Sequence, residues 1–219
     1  LLILFFKHQG NSYELENHRR NLVLNNHTHL NEYKYKTWNN VLLLQKHAPY
    51  SGHYLNRIEQ TIDRALNQYP RTLVLRLDLH YPLWYDSQYD NNAIKRFMAS
   101  LQSQIDASLK RRSKTRLDNR LLSCDIRYVW VKEKAWSNNP HYHMALFFNN
   151  DVYCISGFKD VGYLPYGTVA SDNLMGMIMR AWVSAIGIEP HESEGLVYIP
   201  ENPATILNLD VNNSFDARL

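Results

Sequence analysis

The run RTLVLRLDLHYP, residues 71–82, places leucine at 73, 75, 77 and 79 and alternates those leucines with Val74, Arg76, Asp78 and His80. A period of two fits an extended strand and excludes a helix. One face is then a leucine stripe that must be buried. The other carries an arginine, a carboxylate and an imidazole, and Pro82 closes the element. Whatever fold the chain adopts has to cover the first face while presenting the second.

The flanking sequence supplies the cover. Tyr54, Leu55, Ile58, Ile62, Ala65 and Leu66 recur at helical spacing between Ser51 and Pro70. After the aromatic loop LWYDSQYD, residues Ile94, Phe97, Met98, Leu101, Ile105 and Leu109 predict a second helix, opened by an Asp90 or Asn91 cap and finished by Lys110, Arg111 and Arg112. SCDIRYVWVKEKA reads as a strand, SNNP as a turn and HYHMALFFN as the hairpin partner. A loop rich in Gly, Tyr and Pro covers residues 150–170. Ser171 then caps a helix carrying Leu174, Met177, Ile178, Ala181, Trp182 and Ala185 that stops near Gly187, and GLVYIP is a short strand. Met175, Met177 and Met179 read as filler of that helix. The order from Arg71 to Pro200 is β-α-β-β-α-β. It predicts an α+β fold: a ferredoxin/RRM-like antiparallel sheet with both helices on one face and the other face open for a site.

Composition narrows the class. With 219 residues and 45% hydrophobic side chains the chain can bury a full core. Residues 51–219 read as the domain, and residues 1–50, with a polar stretch from Gly10 to Asn40, as an N-terminal appendage. The opening LLILFF is far shorter than the roughly 20 apolar residues that span a bilayer, and it lacks the features of a signal peptide. Cys124 and Cys154 are too few for a disulfide framework or a cysteine-rich zinc site. The reading is a cytoplasmic protein. The first residue is not Met and the C-terminus is ragged, so a piece of a longer protein is expected. A net charge of +3 decides nothing about nucleic acid; the placement of the charges does.

The chemistry concentrates in PHYHMALFF. On a strand, His141 and His143 project from one face, and Glu133 lies eight positions before His141, across the turn. Two imidazoles and one carboxylate suit Mn²⁺, or Mg²⁺ at high concentration, and such an open-sided ion polarises a phosphoryl oxygen. An isolated His-x-His is more often a pair of ordinary polar residues near a turn. The strand context, Pro140 and the aligned Glu133 reverse that preference here. The second pair, His27 and His29, lacks both context and carboxylate and reads as loop. Arg76 and the run Lys110, Arg111, Arg112, Lys114, Arg116 and Arg120 suit DNA phosphates, although basic residues equally complement a helix C-terminus. Tyr81, Trp84, Tyr85, Tyr89 and Trp136 are candidates for stacking on unpaired bases.

VWVKEKAWSNNPHYHMALFF resembles the Glu and His-hydrophobic-His segment of the HUH endonucleases, the rolling-circle replication initiators and relaxases that nick one DNA strand through a tyrosine. RTLVLRLDLHYP, the PHYHMALFF hairpin, the Trp182 helix and GLVYIPENP together resemble the YagK/YfjJ C-terminal-domain family, related to the replication initiator of filamentous phages and found in prophage regions. The likeness covers roughly residues 50–219. It implies a metal-dependent endonuclease acting on single-stranded or hairpin origin DNA, with host replication proteins as further partners. His141 and His143 would be ligands and Glu133 the third, with Asp78 and His80 as alternates. In HUH enzymes the nucleophilic tyrosine follows the histidine motif on a helix, forms a 5′-phosphotyrosine and frees a 3′-hydroxyl for priming. No Tyr follows Tyr198 in this chain, and Tyr142 should face the core. The family's tail resembles Arg-Leu-x-Tyr, so Arg218 and Leu219 would sit just before that nucleophile, and the chain as given would not nick. Two other outcomes stay open: a nucleic-acid-binding regulatory or phage-defence module, and a metal phosphoesterase that activates water.

Overall fold

The computed structural model describes residues 32–39, 41–45, 48–87, 90, 92–115, 121–133, 139–154, 162–209 and 215–218. Most of the predicted appendage therefore lies outside the described residues. Its last part forms two small ladders, β1 (Glu32–Tyr33) with β4 (Tyr50–Ser51), and β2 (Thr37–Trp38) with β3 (Val41–Leu42). Trp38 and Asn39 both donate to the carboxylate of Glu59, at 3.0 and 2.6 Å, which ties this segment to the helix that follows, α1 (Gly52–Gln68).

β5 (Arg71–Leu79) is the alternating strand, and everything else is arranged on it. α2 (Ala93–Lys114) leads to the hairpin β6 (Arg127–Glu133) and β7 (His141–Asn149). β8 (Gly162–Tyr163), α3 (Leu174–Ile186), β9 (Val197–Ile199), β10 (Ala204–Leu209) and β11 (Phe215–Arg218) follow. The strands form one antiparallel sheet of order β11-β10-β5-β7-β6, with β9 also pairing β5 and β8 pairing β9. The predicted β-α-β-β-α-β succession is present as β5, α2, β6, β7, α3 and β9. β10 and β11 extend the sheet beyond it.

The leucine stripe is sealed as its spacing demands. Leu73, Leu75, Leu77 and Leu79 are fully buried with Phe97, Leu101 and Ile105 of α2 and with Ile178 and Trp182 of α3. Each such side chain contributes roughly 1.5–3 kcal/mol by leaving water. Trp182 also donates its indole N–H to the His80 carbonyl at 2.7 Å, fixing the backbone where the strand ends.

The opposite face is not open along its whole length. α1 lies across part of it: Ile62, Ala65 and Leu66 pack on Phe147 and Leu207, with Ile58, Val74, Val129 and Ala145 at the margin. Gln68 pins that helix by donating to Asp125 at 2.6 Å and accepting from Arg127 at 2.8 Å. The expectation of an uncovered face therefore fails where α1 packs. The physical reason is local: the histidine-side residues of β7 turn apolar at Ala145 and Phe147 and need a cover of their own.

Two caps also differ from expectation. Asn173, not Ser171, caps α3, its side chain accepting from the Gly176 N–H at 2.9 Å. Ser171 instead lends its carbonyl to Arg180 at 2.7 Å, and a Cβ on Gly176 would lie 1.9 Å from that same oxygen, so glycine is required there. α2 begins after Asn92, which makes no side-chain cap bond; Asp90 accepts from the Asn92 N–H at 3.3 Å and from Arg96 at 2.7 and 2.8 Å, and Asn91 lies outside the described residues. Gly187 ends α3 with φ 71°, the left-handed conformation its position called for. Among the described residues no helix is long and apolar enough to cross a membrane.

Candidate metal centre

Three neighbouring strands deliver the polar cluster at the end of the sheet that α1 leaves bare. β7 is central: His143 stands opposite Asp78 of β5 on one side and Val131 of β6 on the other, and His141 stands opposite Glu133. Directly paired residues share a face, so all four polar side chains converge. His143 Nδ1 lies 2.7 Å from Asp78 Oδ1, and its Nε2 lies 2.9 Å from Glu133 Oε2. His141 Nε2 is 3.6 Å from the same Glu133 oxygen. The histidines and Asp78 are largely shielded, while the Glu133 side chain is 45% exposed and forms the wet side of the cluster.

His80, one residue past β5, stacks on His141 with centroids 5.2 Å apart and planes within 10°. Its backbone N–H donates to Leu196 at 2.8 Å, so the ring is carried by a fixed main chain. The two imidazoles are tuned in opposite directions. Burial lowers the His80 pKa, neighbouring His141 lowers it further, and Asp78 only partly offsets this. Burial also works against the charged form of His143, but the hydrogen bonds and negative charges of Asp78 and then Glu133 outweigh it and raise its pKa.

One donor atom from each of Glu133, His141 and His143 falls within 4.8 Å of the others, a possible metal-binding triad. Two ligands each about 2.1 Å from an ion sit about 3.0–3.4 Å apart, and the observed separations of 2.9 and 3.6 Å bracket that range. The donor set fits a divalent ion. Asp78 engages Nδ1 of His143 at 2.7 Å, and an Nδ1–H donated to it would leave the Nε2 lone pair for an ion at the triad. Asp78, predicted as an alternate third ligand, lies outside the triad and would orient His143 instead. His80 supports the other histidine by stacking.

The YagK/YfjJ C-terminal domain family matches residues 16–218. The chain belongs to this family. It is 34% identical over 170 residues to YagK of Escherichia coli strain K12, covering 74% of this chain and 76% of that protein. It is also 34% identical over 170 residues to YfjJ of the same organism, covering 73% and 77%. Both relatives are described as uncharacterized. No solved structure matches.

Within this family member the other predicted site residues scatter. Arg76 stands on the triad's face, two residues from Asp78, and donates to the Glu201 carbonyl at 3.1 Å. Trp84, 64% exposed, sits beside Leu83, 95% exposed, on a turn at the same end of the sheet. Asn139 fastens that turn by donating to the carbonyls of Pro82 and Tyr85 at 3.0 and 2.6 Å. Tyr85 is packed locally, stacked on Tyr81 and bonded to Asp90. Lys110, Arg111, Arg112 and Lys114 lie in the last turns of α2, under the leucine face. Arg112 donates to the Val152 carbonyl just past the end of β7, about 20 Å of strand away from His143. Arg111 pairs with Asp172 at 3.6 Å. The structure does not bring these basic residues to the triad.

Tyr142 is buried, in contact with Trp130 and Trp182, as its parity predicts. His27, His29, Tyr89, Arg116, Arg120 and Trp136 lie outside the described residues. Sequence reasoning passed over Tyr163: its centroid is 5.6 Å from His80 and 5.0 Å from Tyr198. Only the pairing of the two-residue β8 with β9 brings it there, and no periodicity announces so short a strand.

Proposed function

We propose that the chain is a metal-dependent, HUH-type DNA-nicking domain of the replication-initiator kind, on a ferredoxin/RRM-like sheet, acting for a prophage or other mobile element on single-stranded or hairpin DNA. The observation that carries this reading is the register that sets Glu133 opposite His141, next to His143, on a stretch of sheet that α1 does not reach and where the Glu133 side chain is 45% exposed. Glu133, His141 and His143 would hold Mn²⁺ or Mg²⁺. Bound there, the ion would supply Lewis-acid polarisation of a phosphodiester oxygen. Asp78, 2.7 Å from Nδ1, would hold the His143 ring in its ligating tautomer, and Glu133 is the most exposed of the three triad side chains. Arg76 on the same face adds positive charge beside the phosphate.

Incubation of the full-length protein with end-labelled single-stranded DNA and Mn²⁺ tests the reading. A covalent protein–DNA adduct that disappears on chelation, and on replacing His141 and His143 by Ala, is the expected outcome. Free cleaved product without adduct would favour water-activating hydrolysis, and binding without cleavage a regulatory module. Either result overturns the nicking assignment.

A further inference from the structure

A row of rings leads away from the triad. His143 meets His141 edge-on at 4.6 Å, His141 stacks on His80 at 5.2 Å, His80 touches Tyr163 at 5.6 Å, and Tyr163 meets Tyr198 edge-on at 5.0 Å. The row has one face because its strands are in register: Tyr198 stands opposite Asp78, and Tyr163 stands opposite Tyr198. Its inner members are shielded, whereas Tyr163 is 59% exposed on the short strand β8. The tilted contact with His80 and the edge-on contact with Tyr198 brace this exposed ring at little conformational cost, which suits it to stacking.

Resting on the reading of the triad as a centre for phosphodiester chemistry, we infer that Tyr163, braced by His80 and Tyr198, is a stacking platform. It takes an unpaired DNA base next to the phosphate held at the triad. Three observations select this occupant. The platform adjoins a site whose donor set calls for a cation and hence for a phosphate. Arg76, two residues from Asp78 on the same face, is in no ion pair among the described residues and complements a polyanion. The surface offered is an exposed aromatic ring, which takes a base by stacking and demands that it be unpaired.

Fluorescence anisotropy with a labelled mixed-sequence single strand of about 16 nucleotides, in EDTA, tests the platform without any cleavage. Loss of one stacked base weakens binding roughly 5- to 150-fold, so Tyr163→Ala should fall in that range while Tyr163→Phe stays within about twofold of the parent. Binding of blunt duplex should be the same for all three proteins. Unchanged binding by Tyr163→Ala, an equal loss in Tyr163→Phe, an equal loss on duplex, tighter binding of RNA than of DNA, or no strand binding by the parent would each overturn the inference. Calorimetric titration with Mn²⁺ separates this failure from failure of the triad. Tyr163→Ala should bind the ion like the parent, and a parent that binds no ion sinks the proposed function while the EDTA measurement still judges the platform.

Discussion

The histidine-side face of the sheet has two halves built from the same strands. Toward the start of β5 it presents Val74, Val129, Ala145 and Phe147 and is dry under Ile62, Ala65 and Leu66 of α1. Toward the other end it presents Asp78, Glu133, His141 and His143, and among the described residues no helix lies over it. Side-chain parity is identical in the two halves, so alternation alone does not decide whether a position is core or chemistry. What decides is the layer above. β7 changes character between His143 and Ala145, which is where the cover begins.

If the bare half is a metal centre, replacing both His141 and His143 by Ala should lower Mn²⁺ affinity by more than about 100-fold, beyond what loss of an orienting partner costs. Circular dichroism should stay native; calorimetry showing parental affinity would erase the distinction between the halves. The dry half should answer in the opposite currency. Phe147→Ala should destabilise the fold by about 3–5 kcal/mol in chemical denaturation, with Mn²⁺ affinity of the folded protein unchanged. Asp78→Asn keeps the size of the side chain but not its charge, and should reduce Mn²⁺ affinity by about 10- to 100-fold.

The proton on His143 gives a subtler contrast. Because Asp78 and Glu133 raise its folded pKa above the ordinary value of 6.5, its contribution to stability is full below about pH 6.5 and is lost as pH rises through the raised value. In EDTA, the stability difference between the parent and His143→Gln should therefore shrink from acid to alkaline pH. Mn²⁺, which needs the neutral ring, should bind more tightly over the same interval. A pH-independent difference would contradict the electrostatic account. The smallest effect belongs to the far end of the opposite face. Replacing Arg111 and Arg112 by Ala should change stability by about 0.5 kcal/mol or less, and should leave the salt dependence of single-strand binding as it was.

Much of this was legible in the chain. The stripe of Leu73, Leu75, Leu77 and Leu79 announced a strand with one buried face, and counting back across the turn from His141 reached Glu133. Relations between segments far apart in sequence were not legible. The apolar stripe of α1 says that it packs, not against what. Ala145 and Phe147, on the histidines' own side, were the available clue. Asp78 could be named a candidate but not assigned, because only the pairing of β5 with β7, 65 positions apart for Asp78 and His143, shows that it grips Nδ1. β10 went unforeseen because ATILNL lacks the polar and apolar contrast that marks β5.

The pairing of Glu133 with His141 makes the centre digital in chain length. Inserting one residue between Val131 and Glu133 would rotate the carboxylate to the leucine side of the sheet and remove it from the triad outright. Inserting two would return it to the correct side but about 7 Å too far along, still beyond reach of either imidazole. Drift in this hairpin can thus alter the connecting turn freely, but it cannot adjust the ligand set by degrees.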